Sequence, residues 1–305
     1  MTSQEALKQI SLCAANFGNA DAFGDVLEDW IAFLGGRPGE IVIVDGGSSP
    51  ATHAVYWNLF QAGRIDKLQV IRAEHPDNSR MTCFIQEHAA VAISAGKYIL
   101  CFKSDTLPYR GGHEDWLVRA IQYLERPDTF AVGGSFNLPG RHHDAPWPGW
   151  YFSEKCSSNF ALMKRQSFID AMTEFGGAYI ASNFTLPSPV ADDGKGSTRY
   201  FIETALETYM KKHGQFTLAR VEDPTWTVFH TNAAGSELVK VRADYLARKN
   251  IEPFMNAGYI QPLLGGCFYG KKRNRAKELR VAFGASALGP PWRALKRLLG
   301  GGQRT

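Results

Sequence analysis

The sequence has no run of about 18 apolar residues, so no segment has the length and hydropathy of a membrane-spanning helix. It has no basic-then-apolar leader either: Met1 to Gln9 is polar, and secretion is not expected. Its cysteines, Cys13, Cys83, Cys101, Cys156 and Cys267, are odd in number and scattered, without a C-x-x-C pair. That pattern argues against a disulfide framework or a thiolate zinc site and fits a reducing, cytoplasmic compartment. Cys13, Cys83 and Cys101 stand among apolar neighbours, where a thiol behaves as a small core residue. No G-x-G-x-x-G follows the first apolar run; Asn16-Phe17-Gly18-Asn19-Ala20-Asp21 stands there instead, which argues against a dinucleotide-binding dehydrogenase. Internal repeats and low-complexity tracts are also missing.

What is present is an ordinary globular composition, 44% hydrophobic and 21% charged, in a chain long enough for one large α/β domain with a short appendage. The net charge of +4 is unevenly spread. From Lys271 to Thr305 there are ten Lys or Arg residues against Glu278 alone, so the remainder is net acidic. This basic tail also carries Trp292, Leu295, Leu298 and Leu299, a pattern suited to peripheral contact with an anionic membrane surface. A packed or solvated tail is the plainer alternative. Nucleic acid is not an expected partner, because the body is acidic.

Along the first half, short apolar runs alternate with helical patterns. Strands are expected over Ile10–Ala14, Glu40–Val44, Leu68–Ala73, Tyr98–Phe102 and Phe130–Phe136. Helices are expected over Asp21–Leu34, His53–Ala62, Thr82–Ala95 and Trp116–Leu124. Such alternation implies a mostly parallel sheet covered on both faces, with ligands beyond the carboxyl ends of its strands. Asp45 and Asp105 both fall just past strand ends. In the second half, Leu138–Trp150 and Ser182–Thr198 read as long loops, Gln166–Phe175 and Phe201–His213 as helices.

Four features bear chemistry. Asp45, in Val44-Asp45-Gly46-Gly47-Ser48, either accepts from a base or ribose or caps its own turn; alone, it supports both readings. Asp105, after Tyr98-Ile99-Leu100-Cys101-Phe102-Lys103-Ser104, can hold a divalent cation or stabilise a turn beside Lys103. Glu203 opens a helix after a long loop, where it either acts as a general base or simply suits the helix dipole. His230 ends the strand-like run Val228-Phe229-His230; alone it is more often structural than a ligand.

In order and spacing these features resemble the inverting glycosyltransferases of family 2, which have the GT-A fold. Val44-Asp45-Gly46-Gly47-Ser48 matches that family's first Asp turn, and Ser94-Ala95-Gly96-Lys97-Tyr98-Ile99-Leu100 matches the approach to its Asp-x-Asp motif, here Lys103-Ser104-Asp105. Ser157-Ser158-Asn159-Phe160-Ala161-Leu162-Met163-Lys164-Arg165 resembles the acceptor-side segment. The family's Glu-Asp pair lies twelve residues before a Gly; counting back from Gly214 reaches Ile202-Glu203, so Glu203 matches the catalytic Asp. The likeness spans roughly residues 8–235. Three departures stand out: Lys103 for the first Asp, Glu87-His88 for the usual Arg-Asn pair, and Ala14 for a common Pro.

The resemblance implies an α/β GT-A domain over 1–265, with a nucleotide-sugar half (1–136), an acceptor half (137–265) and a basic tail (266–305). Ala14, Asn16, Asp45, Arg80, Lys103, Ser104 and Asp105 would line a site for a nucleotide diphosphate-sugar, a UDP-sugar being favoured. Asp105 and His230 would hold Mn²⁺ or Mg²⁺, and Glu203 would serve as catalytic base. The acceptor would be a saccharide or a lipid-linked sugar, and the loop aromatics Trp147, Trp150 and Tyr151 suit a sugar ring as well as they suit anchoring the loop to the core. The rival expectation, supported by Lys103 and Glu87, is a non-catalytic protein of the same fold that binds a nucleotide-sugar or a partner through a degenerate metal site.

Overall fold

The computed structural model describes residues 1–71, 82–134, 142–181, 201–220, 226–231, 233–251 and 269–270. Arg80, the loop expected over 182–198 and, apart from residues 269–270, the tail 266–305 lie outside them.

A short helix α1 (Ser3–Leu7), closed by a Thr2–Glu5 capping box, leads into β1 (Ile10–Asn16). Then follow α2 (Ala20–Leu34), β2 (Glu40–Asp45), α3 (Pro50–Gln61), β3 (Lys67–Val70), α4 (Thr82–Ile93), β4 (Tyr98–Phe102), β5 (Thr106–Arg110), α5 (Trp116–Leu124) and β6 (Thr129–Gly133). The second half holds β7 (His142–Asp144), β8 (Trp150–Ser153), β9 (Ala161–Lys164), α6 (Arg165–Ala181), α7 (Phe201–His213), β10 (Phe216–Arg220), β11 (Trp226–His230) and α8 (Gly235–Leu246). Nine strands make one sheet in the order β3-β2-β1-β4-β9-β6-β10-β8-β7, and β5 and β11 form a separate two-stranded ribbon. This is the expected α/β architecture, a large central sheet flanked by helices.

The strands alternate between two apolar cores. Leu12, Ala14, Ile41, Ile43, Leu100 and Phe102 face α2, α5 and α8, whereas Cys13, Val42, Val44, Ile99 and Cys101 face α4, α6 and α7. Burial on both sides explains why β1, β2 and β4 are apolar throughout. Trp30, fully buried on α2, packs on Phe102 and donates its indole N–H to the Thr106 carbonyl at 3.2 Å. Its ring fixes the start of the ribbon against the sheet. Gly96 allows β1 and β4 to meet: a Cβ there would lie 2.6 Å from the Ser11 nitrogen.

The sheet is parallel from β3 to β4, and β10 runs parallel to β6, but β9 lies antiparallel between β4 and β6, and β8 and β7 are also antiparallel. The second half is therefore mixed. A strand that continues straight into α6, as β9 does, has no crossover helix before it to carry it back parallel. The loop expected over Leu138–Trp150 also needs correction, since residues 142–144 pair with β8 as a hairpin. Its turn closes through the Ala145 N–H to the Trp150 carbonyl (3.0 Å) and the Trp150 N–H to the Trp147 carbonyl (3.1 Å).

Because β1, β2 and β4 are parallel, Asn16, Asp45 and the Lys103–Asp105 turn emerge at one end. β9 runs the other way, so the segment 157–160 before it starts at that end too. α7 returns to the opposite end to begin β10, which leaves Glu203, in its first turn, with the others.

Candidate active site

Asp45 is fully buried at the end of β2 and gathers five donors. Its Oδ2 accepts from the backbone N–H groups of Gly47 (2.8 Å) and Ser48 (2.7 Å) and lies 3.0 Å from His53 Nε2. Its Oδ1 accepts from the Ser48 hydroxyl and from Tyr56 at 3.0 Å. Burial alone would raise its pKa; the bonds from Ser48, His53 and Tyr56 outweigh that and hold the carboxyl below its ordinary value. The side chain thus organises its own turn. Gly46 leaves room there for Gln86 of α4, whose Nε2 would lie 1.7 Å from a Cβ and would have to move aside for any larger residue. Next to it, Asn16 donates through Nδ2 to Gly18 O (2.8 Å) and to Tyr56, while its buried Oδ1 has no hydrogen-bond partner among the described residues. Ala14 is enclosed in the core.

The Lys103–Asp105 turn is fixed by Thr106, whose N–H and hydroxyl both donate to the Lys103 carbonyl, at 3.0 and 2.7 Å. Ser104 accepts from Asn19 Nδ2 at 2.7 Å. Asn19 is the left-handed residue that starts α2 (φ 62°), and its Oδ1 accepts from Gly235 N at 2.9 Å, so one amide joins three segments. The β5–β11 ribbon sets His230 opposite Thr106, and Thr231 donates twice to the Asp105 carbonyl. As a result His230 Nε2 lies 3.0 Å from Asp105 Oδ2. Burial works to raise the Asp105 pKa, but the His230 hydrogen bond and the charges of His230 and Lys103 prevail and lower it.

Asp105 and His230 present one carboxylate oxygen and one imidazole nitrogen, donor types that Mn²⁺ or Mg²⁺ accepts, and in this structure the two atoms are joined to each other at hydrogen-bond distance. Among the described residues no third His, Cys, Asp or Glu joins them. Further ligands would have to come from a bound phosphate and water.

The third group centres on Ser158. Glu203, almost fully buried, accepts the Ser158 N–H at Oε1 (2.9 Å), and its Oε2 lies 3.5 Å from Lys155 Nζ. Lys155 is also 3.7 Å from Glu207. The Ser158 hydroxyl stands between Glu203 Oε1 (3.4 Å) and Glu87 Oε1 (3.5 Å) and accepts from Lys103 Nζ at 3.3 Å. Lys103 Nζ is also 3.3 Å from Glu87 Oε1. Burial raises the Glu87 carboxyl and the charge on Glu203 adds to the rise, while Lys103 opposes it. Burial likewise raises Glu207. Burial disfavours the Lys155 ammonium, but Glu203 and Glu207 more than compensate and its pKa rises.

The structure thus brings Lys103, Ser104, Asp105, His230 and Glu203 to one end of the sheet, with Asn16 and Asp45 at the ends of neighbouring strands. The loop aromatics divide. Trp150 is buried, with its ring 5.0 Å from Tyr123; Trp147 packs on the same tyrosine at 4.9 Å and lies under the Arg126 guanidinium at 4.8 Å. Both hold the hairpin to α5. Strand alternation puts Tyr151 on the opposite face, the one that carries α7. Lys155 and Glu207 drew no notice in the sequence, and Asn19 and Ser158 only as parts of segments; their roles depend on contacts between distant segments that have no periodic signature.

No model of a known protein family matches the sequence, and no curated protein matches it. Among solved structures, the mannosyltransferase PcManGT of Pyrobaculum calidifontis, in complex with GDP-Man and Mn²⁺, is similar at a TM-score of 0.46 and 14% identity, over 96% of this chain and 80% of that one. TarS residues 1–349 of S. aureus in complex with UDP-GlcNAc is similar at 0.44 and 11%, over 91% and 73%. A mycobacterial protein is similar at 0.42 and 13%, over 78% and 74%. At such scores and identities the likeness carries no argument about function, which stands on the geometry above.

Proposed function

We propose that this chain is a GT-A-fold glycosyltransferase that moves a sugar from a nucleotide diphosphate-sugar, with a UDP-sugar favoured, to a hydroxyl of a saccharide or lipid-linked acceptor with inversion. The observation that carries this reading is the buried Glu203, held by the Ser158 N–H at the same sheet end as the facing Asp105–His230 pair. A base and a charge-stabilising pair at one site are groups that a single displacement at an anomeric carbon can use.

In this reading the donor lies across the ends of β1, β2 and β4. The Asp45 turn shapes the nucleoside end, and Asn16 Oδ1 offers the base or ribose an acceptor. Asp105 and His230 would hold a divalent cation which, when bound, supplies positive charge to the departing diphosphate. Glu203 removes the proton from the acceptor hydroxyl. The acceptor oxygen forms a bond to the anomeric carbon from the face opposite the diphosphate, and the bonding pair of the old carbon–oxygen bond leaves with the diphosphate. Lys155 balances the charge of Glu203, and Ser158 keeps one carboxylate oxygen occupied. Tyr151 is the loop aromatic suited to the acceptor.

The test is thermal stabilisation by UDP, GDP and their sugars, with and without Mn²⁺. A ligand at 100 times its dissociation constant adds about 2.7 kcal/mol, which is readily seen. Stabilisation by one nucleotide family supports the donor site and names the base. No response from folded protein to any of them would defeat the reading and favour a partner-binding role.

A further inference from the structure

Two departures from the family pattern, Lys103 and Glu87, are far apart in sequence and meet in space. The Lys103 ammonium is 3.3 Å from Glu87 Oε1 and 3.3 Å from the Ser158 hydroxyl. Glu87 lies on α4 at 3% exposure, whereas Lys103 retains 25%. The carboxylate is therefore buried, and the lysine is the member of the pair that reaches solvent. Where the family has an acidic residue in the turn and a basic residue in the helix, this chain has the charges exchanged.

We propose that Lys103 is a fixed cation of the donor site, positioned by Glu87 and Ser158, which binds the diphosphate directly and makes nucleotide binding largely independent of a divalent metal. The inference rests on the donor-site reading above. An ammonium offers three tetrahedral N–H donors and is a natural point-charge partner for phosphate. Glu87 and Ser158 both hold the ammonium and fix where the head sits. The turn itself is rigid, because the Lys103 carbonyl accepts twice from Thr106. Two residues further on, Asp105 and His230 still offer a cation two donors. The metal would therefore add to a charge already built into the chain, whereas a two-carboxylate turn repels phosphate until an ion arrives.

The experiment is calorimetric binding of UDP and GDP to the full chain in EDTA and in Mn²⁺, with thermal unfolding as the folding control. Wild type is expected to bind in EDTA and to tighten no more than about tenfold in Mn²⁺. Lys103→Met combined with Glu87→Gln removes the pair without leaving a lone buried charge. It should lose about 10- to 100-fold in EDTA, the range for one charged hydrogen bond. Lys103→Asp combined with Glu87→Arg keeps an ion pair, restores the two-carboxylate turn and should bind only in Mn²⁺. Abolition of wild-type binding by EDTA, or unchanged metal-free affinity in the neutral pair, overturns the inference while leaving the donor site standing. Should the neutral pair fail to fold, metal-free binding by the charge-exchanged protein overturns it instead. No binding of either nucleotide to wild type in either buffer overturns the donor-site reading and the inference together.

Discussion

Replacing Asp45 by alanine removes the acceptor for five donors in one turn. Three of them have alternatives: the Ser48 and Tyr56 hydroxyls can rotate, and the His53 side chain is about a third exposed and reaches water. The Gly47 and Ser48 N–H groups have no such freedom. Each buried donor without a partner costs about 1–3 kcal/mol, so Asp45→Ala should lose about 2–5 kcal/mol in urea unfolding, read as a lower midpoint at constant slope. Asp45→Asn can turn its amide oxygen toward the two backbone groups and its NH₂ toward the Ser48 and Tyr56 oxygens, so it should recover most of that loss. The wild-type advantage also has a defined pH dependence. The folded carboxyl titrates below its ordinary 3.8, so its contribution is full above that value and is lost as pH falls through the lower folded pKa. An alanine variant within about 0.5 kcal/mol of wild type, or an asparagine variant no better than alanine, would refute the view of Asp45 as the anchor of its turn.

Three further outcomes are expected. Trp150→Ala should lose about 3–5 kcal/mol of stability, the range for deleting a buried aromatic, whereas Tyr151→Ala should keep the fold and lower acceptor use, measured as KM for acceptor. Cys13, Cys101 and Cys156 are buried and their thiols are pushed up by burial, Cys13 to about 12, so peptide mapping after iodoacetamide at pH 8 should find them unmodified in the native protein and modified in urea. Arg242 on α8 grips Asp29 on α2 through two bonds of 2.6 and 2.9 Å, so Arg242→Ala should cost about 1–2 kcal/mol in urea unfolding.

The first half of the fold was legible because its signals are local. β4 and α5 have the expected ends, and β1, β2 and α2 run only one or two residues beyond theirs. β9 and β10 were missed, being strands of only four and five residues whose partners are chosen by tertiary pairing. The hairpin at residues 142–144 was hidden by the Pro- and Gly-rich turn beside it. In the site, strand ends pointed to Asp45 and Asp105, but their surroundings could not be seen. The open choice at Asp45 turns on Tyr56 and His53 from α3, and the meaning of Lys103 turns on Glu87 from α4. Both are contacts between segments, which periodicity does not encode.

The most direct test of the central claim is Glu203→Gln, assayed by single-turnover sugar transfer alongside calorimetric binding of the donor nucleotide. The glutamine keeps the Ser158 contact and cannot take a proton. Transfer should fall by about 10²- to 10⁴-fold with nucleotide affinity unchanged within about twofold. Near-normal transfer by the variant, with donor still bound, would contradict the account.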